Sequence, residues 1–167
     1  MGGKPFGSLG TPTTRASLKN FIDKYGVYGA DEFSIKIGSG DTVRGRVYYL
    51  DTNGAWKLTN ASSNVAGSDQ LIAIAKGTVP TTHGMMLRGI TNFYLYEHLG
   101  PTISNYNAGK AIYLATISGR LNVVAPQGSG QIVRIAGHCL ALDPSAGFTG
   151  QQQQIYFNPE PGWLELV

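Results

Sequence analysis

The sequence predicts an all-β protein: a small β-barrel or sandwich of short strands, with an extended N-terminal arm and one short helix ahead of it. Three observations lead there. After residue 32, apolar and polar residues alternate in short runs, the period of a strand with one face buried. Clusters of Gly, Asn, Asp and Pro punctuate those runs at roughly ten-residue spacing, the rhythm of a small barrel or sandwich. Charged residues make up only 14 % of the chain, against a usual share of about 25 %, while glycine numbers 23 and tyrosine nine.

The 167 residues suit a body of ordinary domain size with a real core. We divide them into an arm and helix, residues 1–30, and a β body, residues 31–167. Gly2, Gly3, Pro5, Gly7, Gly10 and Pro12 leave the first 13 residues without periodicity, so an extended arm is expected. Leu18, Phe21, Ile22 and Tyr25 then fall at i, i+3, i+4 and i+7, the apolar stripe of a helix. Thr13 or Thr14 suits its start and Gly26 its stop. So short a helix is marginal alone in water. It needs a surface to dock on.

Within the body, Phe33, Ile35 and Ile37 alternate with Ser34 and Lys36, and Gly38 to Asp41 make a turn. Thr42 to Leu50 reads as one long strand. Asp51-Thr52-Asn53-Gly54 is a hairpin signal, because Asn-Gly tolerates the positive φ such turns demand. Ala55 to Thr59 is the return strand, and Trp56 and Leu58, on one face of it, are expected inside the barrel. Asn60 to Gly67 is a polar loop. Leu71–Ala75, Met85–Ile90, Ala111–Thr116, Leu121–Val124 and Ile132–Leu140 are further strands. Thr91 to Tyr106 and Asp143 to Gln154 read as long excursions. Ile155 to Phe157 is a last strand, ended by Pro159 and Pro161, which lack a backbone N–H. Trp163 and Leu164 are expected to bring apolar surface back to the body.

Charge narrows the function classes. The net charge is +3, and residues 1–24 hold all of it, with Lys4, Arg15, Lys19 and Lys24 against Asp23. An arm lying on an acidic partner surface fits that asymmetry. Four basic residues so widely spaced are a thin footprint for nucleic acid, which is not expected as a partner. No apolar run approaches the roughly 20 residues that span a membrane, so no membrane partner is expected. The N-terminus carries no secretory signal pattern. A single cysteine, Cys139, excludes an internal disulfide and suits a protein made in a reducing cytoplasm.

Chemistry-bearing residues are sparse. His83, His98, His138 and Cys139 are the metal candidates, and none has zinc-site spacing. His138 and Cys139 are adjacent on a strand and point to opposite faces, so no metal site and no cofactor are expected. Asp41, Asp51, Asp69 and Asp143 sit singly at turns, where aspartate caps backbone N–H groups. No catalytic set emerges, and the chain is read as a non-enzyme. Tyr94, Tyr96 and Tyr106, with Tyr25 and Tyr28, read as satellite core under a long loop or as a subunit contact, since tyrosine is enriched where chains meet.

The order of several segments resembles a β-rich module of tailed-phage structural proteins, notably capsid decoration and head-fibre proteins. The segments are Gly40-Asp41-Thr42-Val43, Val47-Tyr48-Tyr49-Leu50-Asp51 with Gly54-Ala55-Trp56, and Ala108 to Leu114. They continue with Gly119-Arg120-Leu121, Pro126 to Gly130, Ile132 to Gly137, and the tail from Ile155 to Leu166. The resemblance spans about residues 38–166, and residues before 31 lie outside it. It implies a viral structural protein on the outer capsid surface, made in the host cytoplasm and partnered by the major capsid protein lattice. Self-association as a homotrimer is part of the same expectation. Attachment would fall to Lys4, Arg15, Leu18, Lys19, Phe21, Ile22 and Tyr25, and subunit contact to Tyr94, Tyr96 and Tyr106. Such modules also occur in tail-associated proteins, so the alternative is a tail-fibre or receptor-binding module that contacts host-surface glycans. A cellular β-barrel enzyme or ligand carrier is a further rival.

Overall fold

The computed structural model describes residues 32–62, 69–94, 108–142 and 152–167. The expected arm and helix of residues 1–30 lie outside them. Eleven strands and one short helix are formed among the described residues. They are β1 (Phe33–Ile35), β2 (Val47–Leu50), β3 (Trp56–Leu58), β4 (Ile72–Ala75), α1 (Pro80–His83) and β5 (Met85–Tyr94). Then come β6 (Ala111–Leu114), β7 (Leu121–Asn122), β8 (Ile132–Val133), β9 (Ile135–Leu142), β10 (Gln152–Phe157) and β11 (Leu164–Glu165). The fold is all-β, as the alternation predicts. One antiparallel sheet runs β3-β2-β4-β5-β10-β9-β6-β7 and curls into a half-barrel. β1 pairs with β5 as well, and β11 pairs with β8 in a separate ribbon.

Turns and loops join the two ends of that sheet. The Val47 N–H donates to the Gly119 carbonyl (3.0 Å), and the Gly119 N–H donates to that of Thr59 (2.7 Å). Ala61 continues the seam, donating to the Ala115 carbonyl and accepting from the Ile132 N–H at 2.9 and 2.8 Å. Buried backbone groups must find partners. Here the irregular segments supply them where no strand does.

Period-two alternation sorts side chains into two apolar clusters. Val47, Ile72, Ile74, Met86, Ile112, Leu114, Leu121, Ile155 and Phe157 fill the concave interior. Tyr48, Trp56, Ala73, Ala75 and Met85 form a second cluster on the opposite face of β2 to β5, with Ile35, Leu50, Leu58 and Leu87 against it. All four residues of β4 are buried, because its sheet is covered on both faces. Trp56 is 3 % exposed, but it belongs to this outer-face cluster and not to the barrel interior where it was expected. Its indole lies over Gly38, where a Cβ would meet Nε1 at 2.4 Å.

Several boundaries differ from the sequence expectation. The run Thr42–Leu50 is not one strand. Val43 to Arg46 form a turn closed by the Arg46 N–H on the Val43 carbonyl (3.1 Å), with Gly45 at φ 82°. Thr42 is drawn the other way, its hydroxyl donating to the Gly77 carbonyl at 2.6 Å. The hairpin at Asp51–Gly54 forms, but only Gly54 takes positive φ (75°). It is a type I turn followed by a left-handed glycine, and Asp51 Oδ1 accepts from the N–H groups of Asn53 and Ala55.

The run Ile132–Leu140 breaks at Arg134, since Val133 pairs with the tail while Ile135 pairs with β6. Thr91 to Tyr94, expected in an excursion, continue β5 and pair with Gln152 to Ile155 of β10. β10 itself begins three residues before the expected strand. Helix α1 was not expected; four residues carry no readable period, although Pro80 at its start suits a first helical turn.

The tail is attached differently from its apolar reading. Ile155 and Phe157 are fully buried, as expected. Trp163 and Leu164, however, are 40 % and 60 % exposed. The tail is held through its main chain. Asn158 and Glu160 donate to the carbonyls of Ala136 and Ile135, both at 3.0 Å, and Leu166 donates to that of Gln131 at 2.9 Å. Pro159 and Pro161 alternate with those donors, so the missing N–H groups fall where no bond is made.

Candidate functional site

Three polar or charged side chains are buried among the described residues, and all three donate to main-chain carbonyls. Thr42 donates to Gly77, and Thr59 Oγ1 to Val47 at 3.2 Å. Arg134 sits at the corner between β8 and β9. Its Nε donates to the Glu160 carbonyl (3.0 Å) and its Nη1 to that of Gln70 (2.8 Å). Burial pushes the Arg134 pKa down and the Asp69 charge opposes that. One guanidinium thus ties the segment entering β4 to the proline-broken tail.

Those two segments form the walls of an open groove of about 370 Å³. Leu71, Leu87 and Pro161 give it apolar surface, and Asp69 and Asn158 give it polar edges, with Arg134 also in its lining. Trp163 follows Pro161 by two residues and is exposed. A second recess, about 260 Å³, lies beside β7 and is lined by Thr116, Asn122, Val124, Pro126 and Gln131 among others.

The outer side of the seam has a different character. Arg44 is exposed, and Arg46 and Arg120 are half-buried. Val43 and Ile117, at the starts of the turns that end in Arg46 and Arg120, are 54 % and 49 % exposed.

Of the residues expected to carry function, Lys4, Arg15, Leu18, Lys19, Phe21, Ile22 and Tyr25 lie outside the described residues. Tyr28, Tyr96 and Tyr106 do too. Tyr94 ends β5, where its backbone pairs with Gln152. Among the metal candidates, His138 is exposed while Cys139 is fully buried, on opposite strand faces as expected. His83 ends α1, its Nδ1 accepting from the Val79 N–H at 3.2 Å; His98 lies outside the described residues. No group of His, Cys, Asp and Glu among the described residues is arranged to hold a metal ion.

Sequence reasoning missed Arg134, Arg46 and Arg120. The available signal was positional: Arg134 interrupts an apolar run, and the other two each precede an inward-facing residue. No protein-family model, curated protein or solved structure matches the chain.

Proposed function

We propose that the chain is a non-enzymatic structural protein of a phage virion, which decorates and stabilises the outer capsid surface through residues 1–30. The observation that carries this reading is the use of the buried polar side chains. Thr42, Thr59 and Arg134 all hold main chain to main chain, which is the work of a body whose task is to keep its shape. The ordered segments from Gly40 to Leu166 that resemble capsid decoration modules agree with it, as does the confinement of the excess charge to residues 1–24. Anything that binds only the assembled shell stabilises that shell by mass action. Closed symmetry is usual among repeated contacts, and a homotrimer is the form we propose for the copies.

The test is co-sedimentation with capsids that lack the protein. The full chain should pellet with them, and a chain without residues 1–26 should stay in the supernatant while keeping its β signature by circular dichroism. Full occupancy without those residues would overturn the arm's role.

One observation favours a second reading, a tail-fibre or receptor-binding module for host-surface glycans. Trp163 is an exposed aromatic two residues from a groove edged by Asp69 and Asn158, the mixture a sugar ring needs. A glycan array probed with the full chain distinguishes them: hits abolished by Trp163→Ala support the glycan reading, and a blank array removes it.

A further inference from the structure

We infer that the outer side of the seam, centred on Arg46 and Arg120, is a docking surface for a protein segment that carries carboxylates among apolar residues. The two arginines are placed there by the fold. Each immediately precedes a strand whose first residue, Val47 or Leu121, belongs to the interior cluster, and each is half-buried. Each closes a tight turn: Arg46 donates its N–H to the Val43 carbonyl and Arg120 to that of Ile117, at 3.1 and 3.2 Å. The bond from the Val47 N–H to the Gly119 carbonyl sets the two turns side by side. The stem of Arg46 runs along Gly119; a Cβ placed on that glycine would lie 3.3 Å from Arg46 Cβ and 3.4 Å from its Cδ.

Among the described residues nothing compensates the charges here. Neither Arg46 nor Arg120, nor Arg44 in the adjacent turn, makes a salt bridge or side-chain hydrogen bond among the described residues, whereas Lys76 elsewhere pairs with Glu32. Nε of Arg120 is buried without a hydrogen-bond partner. A buried donor on a cation is costly to leave unmade, and the guanidinium as a whole offers the fork geometry that suits a carboxylate.

The apolar neighbours choose the class of partner. Val43 and Ile117, both about half exposed, stand at the opposite ends of the same two turns. Phosphate would use the arginines and leave those aliphatic side chains in water. A protein segment uses both, and arginine beside apolar surface is the composition of protein interfaces. This surface is built from residues of the β body and does not rest on the virion reading.

The full chain, labelled with ¹⁵N, would be titrated with a short peptide alternating glutamate and leucine. Parallel titrations would use inorganic phosphate and a single-stranded oligothymidylate. The Nε–Hε resonances of Arg46 and Arg120 should shift and saturate together with the peptide. The double substitution Arg46→Ala with Arg120→Ala should weaken peptide binding about tenfold, and Arg46→Lys with Arg120→Lys should fall between, keeping charge but losing the fork. If the alanine pair fails to fold, Arg46→Gln alone should weaken binding about threefold. Saturation by phosphate or oligonucleotide at equal or lower concentration would overturn the proposal. So would peptide binding that no substitution changes.

Discussion

Trp56 Nε1 donates a 2.8 Å hydrogen bond to the carbonyl of Ile37, 19 residues earlier in the chain. That bond fastens the segment after β1 across the outer-face cluster and keeps the indole over Gly38. Replacing Trp56 with Phe keeps most of the apolar contact but strands the carbonyl, and should cost about 1–3 kcal/mol. Trp56→Ala should cost about 3–5 kcal/mol. Urea denaturation followed by circular dichroism measures both, and a loss for Phe as large as that for Ala would show that the hydrogen bond, not packing, dominates.

Deleting the chain from Gln154 onward should abolish cooperative folding. The deletion removes Ile155 and Phe157, both fully buried, each contributing about 1.5–3 kcal/mol by burial, and it takes away the central strand β10 between β5 and β9. A truncation after Pro161 should be far milder, because it removes the exposed Trp163 and the two-residue ribbon strand β11 but spares the sheet. Thermal unfolding of the two truncations separates these outcomes.

Burial alone would push the Glu32 carboxyl up, but hydrogen bonds from Lys76 and Ser34, with the Lys76 charge, outweigh it and hold the group below its ordinary value of 4.5. A carboxyl with a depressed folded-state pKa contributes stability that is present above its unfolded value and lost as pH falls through the folded one. The thermal midpoint should therefore drop on acidification below about pH 4.5, and Glu32→Gln should remove part of that drop. The pair is partly solvent-exposed, so the effect should be small and should shrink further in high salt.

The Cys139 thiol is fully buried, and burial pushes its pKa up to about 11, against the opposing charge of Lys110. The reactive thiolate is then scarce at pH 8 as well as inaccessible. Alkylation by iodoacetamide at that pH should be slow in the native protein and fast in denaturant, as read by mass spectrometry. Equal rates would show that β9 and β10 separate readily at Ile155, the residue paired with Cys139.

Much of this architecture was legible in the chain because strands announce themselves by alternation and turns by glycine. Ile72-Ala73-Ile74-Ala75 is a continuous apolar run, and continuous runs mark strands covered on both faces. The misreadings share a cause. Thr42–Leu50 and Ile132–Leu140 both alternate convincingly, but backbone pairing also depends on which partner lies beside each half. At Val43–Arg46 a turn brings the chain to the seam, and at Arg134 the two halves pair with different strands. Trp163 misled for a related reason: a large apolar residue was taken to be buried, whereas the tail is fixed by main-chain bonds that no side-chain pattern encodes. The arginines of the seam were invisible because their proximity arises from the closure of the sheet, across more than seventy residues of sequence.

The bonds around β3 bear on how the molecule behaves when crowded. β3 stands first in the sheet order, the place where an exposed ladder invites another chain to add itself. Ser39 pairs along it, accepting the Trp56 N–H at 2.9 Å and donating to the Gly54 carbonyl at 3.0 Å, while Thr59 just beyond it is taken up by Gly119. An edge shortened in this way is a poor template for strand-to-strand aggregation. Copies brought to high local concentration would meet there through side chains, which can be satisfied and released, and not through a growing β ladder.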